Sequence, residues 1–140
     1  MKNVFFIVIL FIGIIGCNSQ KSVADSGNTV AKNDTVRIAN DSLEYEVIII
    51  DAGFNSWLAS RAYPRKYYSQ TYFEGKNRFW VSEWNIRVNN PQRFGDLYGM
   101  RIDYDPSTNY GYEVNYLLYN YLVYFQNKYN QRLGGHVPDR

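Results

Sequence analysis

Along LEYEVIIID, residues 43–51, Leu43, Tyr45, Val47 and Ile49 alternate with Glu44 and Glu46, and the run becomes wholly apolar at Ile48 to Ile50. That pattern predicts a strand entering a covered position. Asp51-Ala52-Gly53 breaks it. In FNSWLASRA the residues Phe54, Trp57, Leu58 and Arg61 recur at helical spacing, and Tyr63-Pro64 stops the helix because a residue before proline disfavours the α region. A second alternation, Tyr98, Met100, Ile102 and Tyr104 within residues 97–105, predicts a second strand. Asp105-Pro106 and the Ser-Thr-Asn that follows supply turn and cap chemistry.

Residues 67–90 carry two patterns. As a helix the segment has two apolar faces, one with Phe73, Trp80, Trp84 and Val88, the other with Tyr68, Tyr72, Phe79 and Ile86. As a hairpin it turns at Glu74 to Asn77 and sets Trp80, Trp84, Ile86 and Val88 on one strand face. Helix is favoured, because Trp80 and Trp84, and Glu83 and Arg87, are each spaced one turn apart. Asn89-Asn90-Pro91 ends the element either way.

The last segment, YEVNYLLYNYLVYFQNKY, packs six tyrosines into eighteen residues. At 100° per residue Val114, Leu118, Tyr121, Leu122, Phe125 and Tyr129 share one arc, and Tyr112, Tyr116, Tyr119 and Val123 share the opposite one. This predicts a long helix to about Leu133, covered on two sides and stopped by Gly134-Gly135. Glu113, Asn115, Asn120, Gln126, Asn127 and Lys128 exclude it as a membrane span. Tyrosine suits such a helix, since its ring buries while its hydroxyl reaches a partner. Packing accounts for most of these rings, with the Tyr112, Tyr116, Tyr119 stripe as the part open to a ligand.

At the other end Lys2 precedes an apolar run from Val4 to Ile15, too short for a comfortable span and of signal-peptide length. Its close, Ile14-Ile15-Gly16-Cys17, resembles the lipobox of bacterial lipoproteins. By that resemblance residues 1–16 are a signal peptide and Cys17 is the lipidated start of the mature chain. Cys17 is the only cysteine, so intrachain disulfides and cysteine-based sites are excluded. Residues 18–41 have no aromatic residue and are mostly small or polar, which makes residues 17–42 a flexible tether with a reach of roughly 27 Å. Asn18-Ser19-Gln20 has no acidic sorting residue, which by resemblance favours the outer membrane, facing the periplasm.

The remaining domain, residues 43–133, suits one core, and residues 134–140 form a tail. From residue 41 onward eleven Lys and Arg balance eleven Asp and Glu, so no basic face argues for nucleic acid. The sole histidine, His136, lies in the tail, and there is no P-loop, GxGxxG or HExxH. Nothing points to a cofactor or a catalytic residue, although a carboxylate pair is invisible to spacing.

Three weak constellations remain. Trp57, Trp80 and Trp84 with Arg61 are the residue types of a stacking platform for glycan or peptide. Glu83 and Arg87 make either a structural ion pair or a ligand contact in a cleft. Asp51, Asp103 and Asp105 would gather as oxygen ligands for a hard cation if the two strands were parallel, or serve as turn and helix-entry residues.

Taken together, YEVIIID with the following GF and WL (45–58), YYSQ from 67, KNRFWVSEWNIRVNNP (76–91), RIDYDP from 101 and YGYEVNYLLYNYLVYF (110–125) resemble an uncharacterised family of small Bacteroidota lipoproteins. The resemblance covers nearly the whole domain. It implies a cell-envelope location and a single domain, and transfers no activity, substrate, cofactor or catalytic residue. The expectation is a small α+β domain of two short strands and two or three helices, carried on a lipid anchor. Its expected role is a non-catalytic accessory or scaffold that binds an envelope protein, with a glycan or peptidoglycan module as the alternative.

Overall fold

The computed structural model describes residues 35–140; Cys17, the leader and most of the tether lie outside the described residues. Two antiparallel strands, β1 (Thr35–Asn40) and β2 (Tyr45–Ile50), are followed by α1 (Phe54–Ser60), α2 (Gln70–Val88), the single turn α3 (Pro91–Phe94) and α4 (Tyr112–Lys128). This is a small α+β domain with a long aromatic C-terminal helix. Short 3-10 turns span Asp41–Leu43 and Gly95–Tyr98.

The strand over 43–51 forms as β2, but its partner is not the 97–105 segment. β1 lies inside the expected tether and pairs from Thr35 opposite Ile50 to Asn40 opposite Tyr45. A connection of four residues closes this hairpin at far less entropic cost than a strand some fifty positions away. Its turn is secured by Asn40, whose side chain accepts from Ser42 N at 3.1 Å and donates to Tyr110 O at 3.0 Å. Ile38 is fully buried, so ordered packing begins before the expected boundary at Leu43. A six-residue run whose bulky apolar positions are Val36 and Ile38 alone is too short to announce itself.

Residues 99–105 stay irregular because side chains of α2 take the place of a ladder. Trp84 Nε1 donates to Met100 O at 3.0 Å; the Asn85 amide donates to Ile102 O at 2.8 Å and accepts from Ile102 N at 2.9 Å. The alternating set is not buried as a set: Tyr98 and Ile102 face the core, whereas Met100 between them is open to solvent.

Residues 70–88 are a helix, and the hairpin reading fails. Ser69 caps it, its hydroxyl accepting from Tyr72 N at 3.2 Å. The buried face is Phe73, Asn77, Trp80, Val81 and Trp84, with Phe79 and Ile86 outside. This face packs on α4, which touches β1 and α1 elsewhere on its circumference. Covered in this way, α4 buries Val114, Leu118, Leu122, Val123 and Phe125 from its apolar positions and Tyr116, Tyr119 and Tyr124 from its aromatic ones. Each fully buried Leu or Phe contributes about 1.5–3 kcal/mol. Trp80 stacks on Tyr119 at 5.5 Å, and Phe73 meets Tyr119 at 4.9 Å.

Helix α1 begins at Gly53, whose φ of +104° is a left-handed conformation that glycine adopts without strain and which lets the Tyr124 hydroxyl approach to 3.2 Å of where a Cβ would stand. The C-terminal helix ends at Lys128 rather than Leu133. Beyond it the chain is no loose tail: Leu133 and Val137 are buried, although residues 131–140 hold no regular structure.

Candidate functional site

The outward face of β2 carries Glu46, Ile48 and Ile50, while Ile49 points into the core. Four successive apolar residues over 47–50 predict cover on both faces, yet among the described residues nothing lies over the outer one: Ile48 is 54% and Ile50 67% exposed. Beside this face opens a cleft of about 380 Å³ lined by β2, Trp84, Met100, Ile102 and Tyr121. Its floor is rigid. The Trp84 indole is pinned to Met100 O and its ring packs edge-on against Tyr98 and Phe125, 5.0 and 4.6 Å away. Its rim is soft, since Met100 is 80% exposed and methionine adapts to irregular partners. Burial raises the pKa of Tyr121, the hydroxyl on that wall of the cleft.

The stacking platform expected of the tryptophans is not formed. Trp80 is wholly buried against Tyr119, and Trp84 shows only an edge to the cleft. Trp57 is half-buried beside Phe54 and Tyr124. Arg61 is exposed on a separate shallow depression with Trp57, Lys128 and Arg140. The tyrosine stripe is closed as well. Tyr112 Oη accepts from Lys66 N at 2.6 Å and donates to Tyr68 O at 3.2 Å; Tyr116 Oη donates to Tyr63 O at 2.9 Å; Tyr119 is buried between Phe73 and Trp80. Their rings make the α2–α4 contact, and burial pushes the Tyr116 and Tyr119 hydroxyls above their ordinary pKa.

Glu83 and Arg87 do pair, Nε to Oε1 at 2.9 Å, and the guanidinium continues into Tyr98 Oη at 2.6 Å and Arg132 O at 2.5 Å. Burial alone would lower the Arg87 pKa, but Glu83 and Tyr98 outweigh it and hold the cation charged. Each of its three nitrogens donates to a protein group, which makes the pair a structural hub.

The three aspartates do not converge. Asp51 accepts from Lys128 Nζ at 2.5 Å, Tyr124 Oη at 2.9 Å and Tyr129 Oη at 3.2 Å. Burial would lower the Lys128 pKa, yet these partners together raise it. Asp105 caps a turn by accepting from Ser107 N and Oγ, both at 2.8 Å, and those bonds lower its pKa; Asp103 is exposed. No group of three metal-binding side chains exists among the described residues. Among the same residues no helix is long and apolar enough to cross a membrane.

Sequence reasoning missed Lys76 and Asn127, which reach the chain terminus: Lys76 Nζ donates to His136 O at 3.1 Å and Asn127 Nδ2 to Pro138 O at 2.8 Å. A lysine or asparagine on a helix carries no signal for such a contact. A buried polar cluster was likewise silent, in which Tyr104 Oη donates to Asn115 Oδ1 at 2.7 Å and Asn77 Nδ2 to Asn115 O at 3.0 Å. Burial pushes the Tyr104 hydroxyl up to about 12.

The sequence matches DUF6146, described as a family of unknown function, over residues 5–137. No curated protein and no solved structure matches the chain.

Proposed function

We propose, for a chain that belongs to the DUF6146 family of unknown function, that it is a lipid-anchored accessory protein of the bacterial envelope, tethered through Cys17 to the outer membrane and facing the periplasm, which docks an envelope protein in the cleft beside β2. The observation that carries the docking role is the bare apolar face of Ile48 and Ile50 next to the cleft floored by Trp84. A concave apolar site with a rigid aromatic floor and an adaptable methionine rim suits a protein side-chain anchor. It does not suit a glycan, which needs polar groups around an open ring face, and no exposed tryptophan pair is present among the described residues. The anchor rests on the apolar leader and the Ile14-Ile15-Gly16-Cys17 motif.

Two measurements test this. A photo-crosslinker at Ile50 or Met100 should trap one defined envelope protein in living cells, and the same group at Ser107, which lines no part of the cleft, should not. Ile50→Asp in the Met100 crosslinker background should abolish trapping while leaving Tm within about 4 °C, because Ile50 is mostly exposed. Equal trapping from Ser107, or trapping that survives Ile50→Asp, overturns the docking role. Fatty-acid labelling that persists in Cys17→Ala overturns the anchor.

A further inference from the structure

The segment 132–140 lies on the body of the domain in a regular way that its irregular backbone conceals. Arg87 Nη2 donates to Arg132 O at 2.5 Å, Trp80 Nε1 to Gly134 O at 2.9 Å and Lys76 Nζ to His136 O at 3.1 Å. Asn127 Nδ2 donates to Pro138 O at 2.8 Å, and Trp57 Nε1 reaches Arg140 O at 3.4 Å. Each donor is a side chain of α1, α2 or α4, and each acceptor is the main-chain carbonyl of every second residue. Donors so placed hold a peptide through its backbone, whatever its side chains. Selectivity then comes from three places. Leu133 and Val137 are buried in the body, and the Arg140 guanidinium lies 3.6 Å over the Tyr63 ring. A Cβ on Gly134 would stand 2.6 Å from Phe79 Cε1.

Two features separate this arrangement from ordinary packing of a chain end. The last main-chain to main-chain hydrogen bond in the region is Gln131 N to Gln126 O at 2.9 Å, so the segment lifts without breaking a helix or a sheet. The three guanidinium nitrogens of Arg140 are also buried with no hydrogen-bond partner among the described residues. A buried cation without an anion or a carbonyl is costly, and only ring faces offset it here. The seat therefore recognises its arginine through the Tyr63 ring face and leaves the N–H groups unused.

The geometry points to a peptide-binding groove on α1, α2 and α4 that residues 132–140 occupy in cis, and that takes in trans a partner segment bent at a glycine pair, with aliphatic residues at its second and sixth positions, glycine at its third and fourth and arginine at its ninth. The groove is separate from the β2 cleft and stands whether or not that cleft docks a partner.

The test uses the full chain carrying Gly134→Val with Arg140→Ala, which dislodges the segment and empties the arginine seat while leaving the five donors in place. The probe is a labelled synthetic decapeptide, QRLGGHVPDR, followed by fluorescence anisotropy. The variant should bind it at least tenfold more tightly than the unaltered chain, and replacing the peptide's last arginine by alanine should cost at least tenfold. A folded variant that ignores the peptide at millimolar concentration, or that binds the alanine peptide equally well, overturns the proposal. If the variant does not fold, the unaltered chain decides: at millimolar protein the labelled peptide's anisotropy should rise as it displaces the cis segment, and unchanged anisotropy overturns it. A concentration-dependent dimer with that same rise would make a second copy the occupant and overturn the partner segment.

Discussion

Replacing Arg87 by methionine separates a structural hub from a ligand site. The guanidinium makes three hydrogen bonds, but their losses differ. Glu83, with its side chain 34% exposed, rehydrates, so that bond is worth only about 0.3–0.5 kcal/mol. The Tyr98 hydroxyl is buried and keeps only its own bond to Gln131 Oε1 at 2.9 Å; losing its charged partner costs about 1.5 kcal/mol. The Arg132 carbonyl belongs to an exposed residue and recovers water, so it adds less than about 1 kcal/mol. Contact of the guanidinium with the Phe94 and Tyr98 rings, at 5.0 and 5.4 Å, adds about 0.5–1 kcal/mol. Methionine retains the aliphatic packing. The expected loss for Arg87→Met is about 3 kcal/mol by urea unfolding, or a fall in Tm of about 12 °C or more. Glu83→Gln should cost less than about 0.5 kcal/mol, and the double variant should match Arg87→Met closely. If Glu83→Gln proves as damaging as Arg87→Met, or Arg87→Met costs under about 1 kcal/mol, the hub reading is wrong and the pair is free for another task.

Further outcomes follow from the same packing. Burial raises the pKa of Tyr45, Tyr119 and Tyr121, so the folded state keeps their protons while the unfolded chain ionises. Stability from these residues is complete below about pH 10 and falls above it, by about 1.4 kcal/mol per pH unit for each tyrosine held protonated. Absorbance at 295 nm followed with circular dichroism should show part of the tyrosine signal rising only as the helices melt; reversible titration of all fourteen with the fold intact would refute this. Trp80→Ala empties the α2–α4 contact and removes the donor to Gly134 O, so it should cost about 3–5 kcal/mol in chemical denaturation, whereas Phe79→Ala, on the exposed side of the same helix, should cost far less.

Helix existence was legible wherever an element buries one face against one neighbour. The Phe73, Trp80, Trp84 spacing identifies α2, and the two arcs of 112–129 identify α4 as a helix covered on two sides, because period and burial are tied within a single element. The alternation over 43–51 identifies β2 for the same reason. The Cys17 motif and the leader before it are expectations from the chain alone, because they lie outside the described residues.

Pairing was not legible. Alternation offered β2 only the 97–105 segment, while 35–40 read as tether; the hairpin forms instead, since it closes a shorter loop and Trp84 and Asn85 hold the backbone groups of residues 100 and 102. The candidate residues divide in the same way: residue type named Trp57, Trp80, Trp84 and Arg87 as ring and guanidinium chemistry, but only the tertiary structure decided that these side chains face inward or onto the chain's own last residues. Composition and periodicity record what each residue wants from its surroundings; which surroundings it meets depends on contacts between positions dozens of residues apart, and those exist only once the chain has closed on itself.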